Sequence, residues 1–353
     1  MSERQLVTVR EISELVPIVG ADVIELAKVD GWQCVVKKGD FNVGDRGIYF
    51  EIDSMIPSDD ERFEFLSRGQ VRTHYRIKTM RLRKALSQGL LMPMSILTAE
   101  EFGRSFPPRG AGWDEENLTD VLRVEKYEPS LPAGGTQKGT FPTHLIPKTD
   151  QERVQNIPRD IAGRTAGEFE ITEKLDGTSC TFYYFNDPTL DTHGDLPNEM
   201  TDRVGACSRN WEMKLDDSSV YASIFKELEL EQKLRALKRN IAIQGEIIGG
   251  NIQGNRYKLV KQTFYVFDIY DIDAKRYLNQ WDRIALVSEL GLSHVPLVLH
   301  KADFPLTLDV VLDFAEDKST LCDTQREGVV FKEKDGPLTF KAISNKFLLK
   351  NNG

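Results

Sequence analysis

Short apolar segments separated by turn residues fill the first third of the chain, and this pattern limits its fold more strongly than any other feature of the sequence. The segments VIELAKV, WQCVVKK and RGIYFEI are rich in β-branched and aromatic residues, and the turn signals DG, KKGD and NVGD lie beside them. Few segments here have the length and period of a helix. Closely spaced short strands are typical of a small barrel, which we predict for residues 1–128.

The remainder of the chain mixes strands with helices. Strands are predicted around EFEIT, CTFYYF, IAIQGEIIG, TFYVFDIYD and GVVFKEK, and helices near residues 218–239 and 279–292. Thr149, with Glu152 three residues later, forms a capping-box pattern that predicts a helix over DQERVQNI. This alternation predicts an α+β domain.

Two domains also fit the length of the chain, because 353 residues exceed the usual size of one hydrophobic core. The segment 129–144 contains the run PSLPAGGTQKGTFP, whose prolines and glycines are typical of a linker. We predict that this linker separates the barrel, residues 1–128, from the α+β domain, residues 145–353.

Composition excludes several classes of protein. No apolar run approaches the length that spans a membrane, and the charged start MSERQLVTVREISELV lacks the apolar region of a signal peptide. The four cysteines are too scattered for a disulfide framework or a CxxC knuckle, and none of the five histidines forms an HxH or HxxxH pair. We therefore expect no zinc site and a reducing, intracellular location, with cytoplasm and nucleus both open.

One stretch departs from the net charge of −9, which by itself argues against general coating of nucleic acid. Residues 67–90 contain seven arginines and lysines, one histidine and no acidic residue. The alternation in RIKTMRLRK predicts a strand with one basic face, which suits a phosphate backbone, although a solvated surface would look the same. The seven cations are Arg68, Arg72, Arg76, Lys78, Arg81, Arg83 and Lys84.

A lysine follows the predicted strand EFEIT almost directly and precedes an Asp-Gly turn, in the segment EKLDGTSC. Lys174 is therefore expected at the end of a sheet, a place that suits a nucleophile and equally an exposed hairpin. Buried charges are rare unless they are paired or functional, so a set of them indicates an active site better than any single one. Other predicted apolar strands also carry charged residues, namely Glu246, Glu327, Lys332 and Lys341.

The order and spacing of these elements resemble the covalent nucleotidyltransferase superfamily, which contains the ATP-dependent RNA and DNA ligases and the mRNA capping enzymes. Its motif I, KxDG, matches Lys174–Gly177, and its motif IV matches Glu327–Lys332. KxDG is common by chance, but six elements in the correct order are specific. The other matches are Ser208-Arg209-Asn210, Glu246 as motif III, Phe267-Asp268-Ile269 as motif IIIa and Lys341 as motif V.

Within the superfamily the chain resembles the RNA-ligase branch, in particular the Naegleria-type RNA ligases with an N-terminal OB-like domain. PKTDQERVQN precedes motif I, and the sequence ends shortly after motif V, whereas DNA ligases and capping enzymes usually continue into a C-terminal OB-fold. GDFNVGDRGIYFEIDSMIP and RLRKALSQGLLMP resemble an OB-type module in front of the ligase domain. The implied fold class is α+β, with an OB-like β-barrel module followed by an antiparallel-sheet nucleotidyltransferase domain of the ATP-grasp-like ligase type.

The resemblance implies an ATP-dependent RNA ligase. Lys174 would attack the α-phosphate of ATP to give lysyl-AMP and pyrophosphate, the AMP would move to a 5′-phosphate end, and a 3′-hydroxyl would then displace it. A free lysine has a pKa of about 10.4, so few molecules would be reactive at neutral pH. We expect Lys332, Lys341 and a bound Mg²⁺ to lower this pKa and to hold the α-phosphate.

The resemblance also implies the metal and nucleotide contacts. Glu246, Glu327 and Asp176 would be outer-shell partners of a hydrated Mg²⁺ (or Mn²⁺), an ion that prefers oxygen and keeps several waters. Glu246 would bind the ribose hydroxyl as well. Arg209 would contact ribose or the reacting phosphate, and the backbone of Glu173 would read the adenine amino group.

Two further nucleotide contacts are less determined. Phe267 would stack on adenine, but an aromatic residue in YVFDIY fits a core position equally well. Ser179 stands where related RNA ligases often have Asn, so its contact with the nucleotide is open.

Motif V departs from the family pattern. It often reads Lys-x-Lys, but here it reads Lys341-Ala342-Ile343, so the second cation is missing unless Lys346 or Lys350 replaces it. Lys341 is therefore expected to carry more of the phosphate contact than in related enzymes.

The expected partners are RNA ends with a 3′-hydroxyl and a 5′-phosphate, contacted in part by Arg72, Arg76, Arg81 and Arg83, and the chain is expected to act as a monomer away from membranes. A DNA ligase or an mRNA guanylyltransferase would use the same lysine chemistry. A ligase-like RNA-binding protein that has lost catalysis is a further alternative, although Lys174 and Glu246 are both present.

Overall fold

A computed structural model describes residues 5–106 except 68, 70 and 71, together with residues 117–127, 136–186, 203–215, 219–298 and 303–351. The chain divides into two compact units. The first consists of Met1–Leu131, Val154–Ile161 and Leu348–Gly353, and the second of Pro132–Arg153 and Ala162–Phe347. This division groups residues 154–161 with the first unit. The domain boundaries 1–128, 129–144 and 145–353 stay a prediction, and residues 128–135 lie outside the described part.

The first unit is built from short antiparallel strands around one apolar core. A five-stranded sheet has the order β3-β2-β1-β4-β9, a three-stranded sheet the order β10-β5-β6, and β7 and β8 form a hairpin. Its elements are β1 Val7–Pro17, β2 Ile24–Val29, β3 Trp32–Lys37, β4 Arg46–Phe50, β5 Ser54–Pro57, β6 His74–Arg76, β7 Thr79–Leu82, β8 Ala85–Gln88, β9 Leu90–Pro93, α1 Ala99–Ser105 and β10 Glu125–Lys126.

The long strand β1 explains how the larger sheet of this unit curls. Its first half pairs with β4 and its second half with β2, and the register shifts between Ile12 and Glu14. A bulge of this kind bends a strand and increases its twist, which allows one strand to serve two parts of a barrel. Val9, Ile48 and Phe50 then point into the core with Phe63. The predicted barrel and its strands β2, β3 and β4 are confirmed.

The helix predicted over DQERVQNI is wrong. Glu152 and Arg153 form a two-residue strand, and only a single 3₁₀ turn follows at Val154–Asn156. Tertiary contacts prevail over the capping pattern, because Asn156 accepts a hydrogen bond from Trp32 Nε1 at 2.5 Å and donates one to Glu51 at 2.7 Å.

The second unit contains two sheets and most of the helices. The remaining elements of the chain are β11 Gln137–Thr140, β12 Glu152–Arg153, β13 Phe169–Lys174, β14 Thr178–Phe185, β15 Arg203–Cys207, β16 Trp211–Met213, α2 Val220–Glu227, α3 Leu230–Leu237, β17 Ile241–Ile248, β18 Thr263–Asp271, β19 Arg276–Tyr277, α4 Gln280–Glu289, β20 Ser293–His294, α5 Leu308–Ala315, β21 Gly328–Glu333, β22 Thr339–Ile343 and α6 Asn345–Asn351.

The large sheet has the order β11-β16-β15-β14-β17-β18-β19, with β20 parallel to β18, and the small sheet has the order β12-β22-β21-β13. One face of the large sheet packs against α2, α3 and α4, and Phe182, Ile243 and Val266 are among its buried residues. The opposite face carries Glu246 and Asp268, whose side chains point toward the small sheet. The α+β class and the five strands predicted in this region are confirmed.

The helices of this unit agree with the sequence prediction only in part. The helix predicted at 279–292 is α4, which begins after the cap Asn279. The helix predicted at 218–239 is two helices, because Glu229 adopts a φ of +53° that ends α2 and redirects the chain. Leu230 and Leu234 of α3 are then buried together with the inner face of α2. Residue 218 lies outside the described part of the chain.

No helix in the described part is both long and apolar enough to cross a membrane.

Candidate active site

Lys174 ends β13 at the junction of the two sheets, and its amine forms an ion pair with Glu327 at 2.8 Å. The following turn is tightly constrained. A Cβ at Gly177 would lie 2.3 Å from the carbonyl oxygen of Ile247, so only glycine fits there. The Asp176 N–H donates to the Tyr257 hydroxyl at 2.8 Å. These contacts hold the lysine in a partly buried, paired position, which differs from an exposed hairpin.

Two further carboxylates surround this amine. Glu246 lies on β17 opposite Ser179 of β14 and accepts a hydrogen bond from the Gly177 N–H at 3.1 Å. Asp176 forms an ion pair with Arg256 at 3.1 Å. The cluster therefore combines two cations with three carboxylates, and its acidic groups outnumber its basic groups.

The pKa values of the cluster reflect this excess of acid. Burial lowers the pKa of Lys174, but the three carboxylates raise it more strongly, and the net shift is upward. Burial and the neighbouring carboxylates raise the pKa of Glu246 to about 8 against the opposing effect of Lys174. Burial and Glu327 raise the pKa of Asp176 to about 6. Lys332 and Lys341 are not among the groups that shift this pKa most, so the expectation that they and a bound Mg²⁺ lower it stays a prediction.

The registers of the small sheet place a row of charges on one face. Lys174 lies opposite Gly328, and Glu170 lies opposite Lys332. Lys341 on β22 lies opposite Val330 of β21 and beside Arg153 of β12. Directly opposed residues project to the same side of a sheet, so Lys341 shares the face of Lys174. The sheet thus brings the predicted motif I, IV and V residues together.

Phe267 occupies a β-bulge in the large sheet. Gln244 pairs with Asp268 and Gly245 with Val266, so Phe267 is one extra residue on β18. Bulges redirect side chains and are frequent beside active sites. The Phe267 ring is half-buried against an apolar cluster that includes Tyr257, and it is not part of the main core. This position fits a stacking surface better than a core residue.

Lys332 contacts this bulge with its amine. Its Nζ donates to the Phe267 carbonyl oxygen and to Asp268 Oδ1, both at 2.7 Å. Burial lowers the pKa of Lys332, and Asp268 opposes the shift in part. Both of these bonds go to the protein itself. The predicted phosphate contact of Lys332 stays a prediction.

The backbone carbonyl oxygen of Glu173 lies opposite a proline. Its N–H donates to the Pro296 carbonyl at 2.9 Å, but proline has no N–H and cannot return the second hydrogen bond of the pair. The Glu173 side chain is engaged elsewhere, because Oε2 accepts from the backbone N–H and the hydroxyl of Thr320 at 2.8 Å. The carbonyl oxygen thus has acceptor capacity that Pro296 does not use.

Arg209 and the end of motif V complete the predicted set. Arg209 pairs with Asp150 at 2.6 Å, and both side chains are about half exposed. Ile343 is buried directly opposite Gly328, so an apolar side chain fills the second motif V position. Lys346 lies 3.7 Å from Glu316 and is mostly exposed.

Several residues of this region were not predicted from the sequence. Arg256 and Tyr257 follow a loop in which Gln253 and Asn255 have positive φ, and only its glycines hinted at an unusual backbone. Arg283 is 2% exposed and lies inside an amphipathic helix, where an arginine is usually solvated. No sequence signal distinguishes it from a surface residue.

The described residues fit a hydrated cation better than a directly ligated one. In the described ranges, no three His, Cys, Asp or Glu side chains lie close enough together to hold a metal ion. Burial, and then repulsion by Glu327, nevertheless raise the pKa values of Glu246 and Asp176. A cation that keeps its water ligands relieves this repulsion without a closed cage.

Comparison with known proteins supports the same assignment. A family model of an OB-fold domain matches residues 6–94, and a family model of RNA ligases matches residues 167–350. Three solved structures of Naegleria gruberi RNA ligase are similar to the chain. A lysine-to-alanine mutant with ATP and Mn is 39% identical, with a TM-score of 0.82 and coverage of 98% of this chain and 99% of that chain. A comparison with curated proteins found no match.

The other two structures match equally well. The ligase with PPi is 39% identical, with a TM-score of 0.83 and coverage of 99% of each chain. A glutamate-to-alanine mutant with ATP and Mn is 40% identical, with a TM-score of 0.83 and coverage of 99% of this chain and 100% of that chain. Fold and motif residues thus define a nucleotidyltransferase-type ligase that carries an OB-fold domain. The chain belongs to the RNA ligase family, and the resemblance predicted from its sequence is confirmed.

Proposed function

We propose that this protein is an ATP-dependent RNA ligase that joins a 3′-hydroxyl to a 5′-phosphate through lysyl-AMP and RNA-adenylate intermediates. The observation that carries the proposal is Lys174 at the end of β13, hydrogen-bonded to Glu327 within an excess of carboxylates. The similar Naegleria structures hold ATP, AMP, Mn or PPi, which supports the same ligands here.

In the first step a Lys174 Nζ–Pα bond forms and the bond from Pα to the bridging oxygen of the β-phosphate breaks, so pyrophosphate leaves. The amine must give up a proton, and its hydrogen bond to Glu327 provides the path for that proton. Lys341, which shares the face of Lys174, stabilises charge on the α-phosphate in this proposal, and the sheet register supports that role. A phosphate role for Lys332 stays a further part of the proposal.

A divalent cation, Mg²⁺ or Mn²⁺, supplies positive charge that compensates the carboxylates and the triphosphate. We propose that Glu327, Asp176 and Glu246 hold it through its waters. Glu246 also accepts a hydrogen bond from a ribose hydroxyl, which its place beside the Gly177 turn allows.

We propose the following nucleotide contacts, which the same geometry supports. The Glu173 carbonyl accepts a hydrogen bond from the adenine amino group, since Pro296 leaves that acceptor available. Phe267 stacks on the base, and Ser179, opposite Glu246, lies on the ribose side. Arg209 contacts ribose or phosphate once it exchanges its ion pair with Asp150.

We propose that residues 1–128 bind RNA and that residues 145–353 form the adenylation domain, with 129–144 as a linker. The basic run 67–90 divides into two parts. Arg76 pairs with Asp53 at 2.7 Å and stacks on Tyr127, whereas Arg81 and Arg83 are exposed on the β7–β8 hairpin. At the tip, Arg83 has a φ of +47° and Lys84 one of +71°, so a strained turn presents both cations.

Arg72 lines an open groove together with Asp59, Glu61 and Glu64, so the groove is acidic. Arg68 lies outside the described residues. We therefore propose that RNA contacts involve Arg72 and Arg76 less than Arg81 and Arg83.

Incubation with α-labelled ATP and Mg²⁺, followed by denaturing electrophoresis, tests the enzymatic proposal. Label that stays on the protein supports it. Label from GTP in preference to ATP would indicate a guanylyltransferase, and equal sealing of DNA and RNA nicks would indicate a DNA ligase. RNA binding without any label would indicate a ligase-like binding protein.

The RNA surface is tested by the pair Arg81→Gln/Arg83→Gln, with Arg72→Gln/Arg76→Gln as its matched control. The hairpin pair should reduce strand sealing and lower the slope of log affinity against log salt by about 1.4, because each phosphate contact on a single strand contributes about 0.7. Self-adenylation should persist. A larger loss of sealing in the control pair would show that RNA binds at Arg72 and Arg76 rather than at the hairpin.

We further propose that the ligase acts as a monomer in a reducing intracellular compartment. The four cysteines are free, and three of them are buried, which supports a reducing location. Sedimentation of the purified chain and fractionation of cells that express it test the two statements separately.

A further inference from the structure

Behind the nucleotide pocket lies a buried charge network that joins α4 to both sheets. Arg283 of α4 donates to Glu170 of β13, lies 3.7 Å from Asp268 of β18, and donates its Nε–H to His294 Nε2 at 3.0 Å. Lys332 completes the network through its bond to Asp268. Two cations and two carboxylates therefore balance one another. Such an arrangement is stable only when each charge keeps its partner.

The sheet register would favour a different pairing. Glu170 lies directly opposite Lys332 across β13 and β21, and opposite charges in that position normally pair with each other. Glu170 instead accepts from Arg283, and Lys332 reaches the other sheet. Arg283 thus removes the carboxylate that would otherwise capture the lysine.

Lys332 then fixes the extra residue of β18. Its amine donates to the Phe267 carbonyl and to Asp268, the two residues at the bulge. A bulge lacks part of its ladder of hydrogen bonds, so a donor from another sheet determines how its side chain points. The Lys332 amine thus bonds to the backbone of the residue that carries the Phe267 ring.

His294 sets the direction of the arginine. Its Nδ1–H donates to the Val295 carbonyl at 2.6 Å, so its Nε2 is the acceptor that the Arg283 Nε–H needs. Burial and the charge of Arg283 lower the pKa of His294, which keeps the ring neutral. The guanidinium can therefore direct its remaining N–H groups to the carboxylates.

We propose that Arg283 is a positioning residue for the base of the bound nucleotide: it holds Glu170 away from Lys332, so that Lys332 secures the Phe267 bulge. The inference rests on the proposed function, in which Phe267 stacks on adenine. Arg283 touches neither the nucleotide nor the reacting atoms.

The test measures the KM for ATP in lysyl-AMP formation and the inhibition constant of inorganic tripolyphosphate, a probe that has no base. Arg283→Gln should raise the KM for ATP by about 5- to 150-fold, the range of one base–aromatic stack, with little change in the rate at saturating ATP. Inhibition by tripolyphosphate should change less than about twofold, since the phosphate contacts are intact. Arg235→Gln, at a partly exposed arginine of α3 that pairs with Glu231, is the control and should behave as wild type.

The double variant Glu170→Gln/Arg283→Gln provides the decisive comparison. Without a carboxylate at position 170, Lys332 has no competing partner, so the KM for ATP should return toward that of wild type. A merely structural role for Arg283 predicts that the second buried change makes the loss worse, and that result would overturn the proposal. Equal weakening of ATP and tripolyphosphate would also overturn it. If Arg283→Gln does not fold, the KM of the double variant decides.

A wild-type chain that takes no label from ATP would reject the proposed function itself, whatever the Arg283 variants do. Failure of the positioning role leaves wild-type labelling intact. The two failures are therefore distinguishable.

Discussion

Lys174 and Lys332 lie on the same face of the small sheet, yet their surroundings differ in charge balance. Lys174 belongs to a cluster of two cations and three carboxylates, in which the pKa of Glu246 is raised to about 8. Lys332 belongs to a network of two cations and two carboxylates, in which its amine already holds two short hydrogen bonds. The first cluster is only partly buried, with Lys174 29% exposed, whereas Arg283 and Glu170 of the second are less than 5% exposed.

We propose that this difference separates a lysine that reacts with the nucleotide from a lysine that supports the pocket. An excess of carboxylates in a medium of low dielectric constant is costly, because it either raises a pKa, as at Glu246, or leaves charge unpaired, and proteins retain it where a ligand or a reaction compensates it. The balanced network has no such need, because each charge has a partner inside the protein. Motif matching alone grouped the two lysines together as catalytic residues.

The strongest test of this difference is to replace each lysine. Lys174→Ala should abolish covalent AMP transfer at every ATP concentration, because no other amine can form the Nζ–Pα bond. Lys332→Met should still accept label at saturating ATP if the bonds of Lys332 to Phe267 and Asp268 are its main role. The measurement is label per protein against ATP concentration, with circular dichroism to confirm folding. If the Lys332→Met chain stays unlabelled, Lys332 contacts the phosphate as motif IV predicts.

A second prediction concerns the excess carboxylates. Glu327→Ala and Glu246→Ala should each lower adenylation by roughly 10- to 100-fold, the usual cost of losing an outer-shell partner of a metal. Both variants should also change the dependence on Mg²⁺. Titration of activity with Mg²⁺ measures this, and curves that match wild type in both variants would show that these carboxylates only support the structure.

The sequence predicted the residues of the site better than their partners. Motif order identified Lys174, Glu246 and Glu327, because chemistry fixes residue types at fixed places in the chain. It could not show that Asp176 pairs with Arg256, since that contact links a turn to a loop 80 residues away in sequence. Nor could it show the bulge at Phe267, which arises from the register of two strands.

The errors in the fold have the same origin. The capping pattern at Thr149 does not begin a helix, because contacts of Asn156 within the first unit prevail over it. The break at Glu229 follows from a left-handed backbone that the sequence does not require. Strands with strong alternation were predicted correctly, because their pattern directly encodes which face is buried.

The smallest predicted effect concerns stability, and it distinguishes the two clusters by pH. The pKa of Glu246 is about 8 in the folded chain and near 4.5 in an unfolded one. Between these values the folded state holds a proton that the unfolded state has released, so this carboxylate lowers the stability as pH rises from 4.5 toward 8. Glu246→Gln removes that loss. Its melting temperature should equal that of wild type near pH 5 and exceed it by a few degrees at pH 8.5.

Asp268→Asn is the matched change in the balanced network and should have the opposite sign. It leaves Lys332 buried without its carboxylate, which costs about 3–5 kcal/mol in buried pairs, so the melting temperature should fall at pH 5 and at pH 8.5 alike. Thermal unfolding at the two pH values measures both variants. If Glu246→Gln destabilises the chain at pH 8.5 as Asp268→Asn does, the acid excess around Lys174 carries no cost, and charge balance does not separate the reacting lysine from the supporting one.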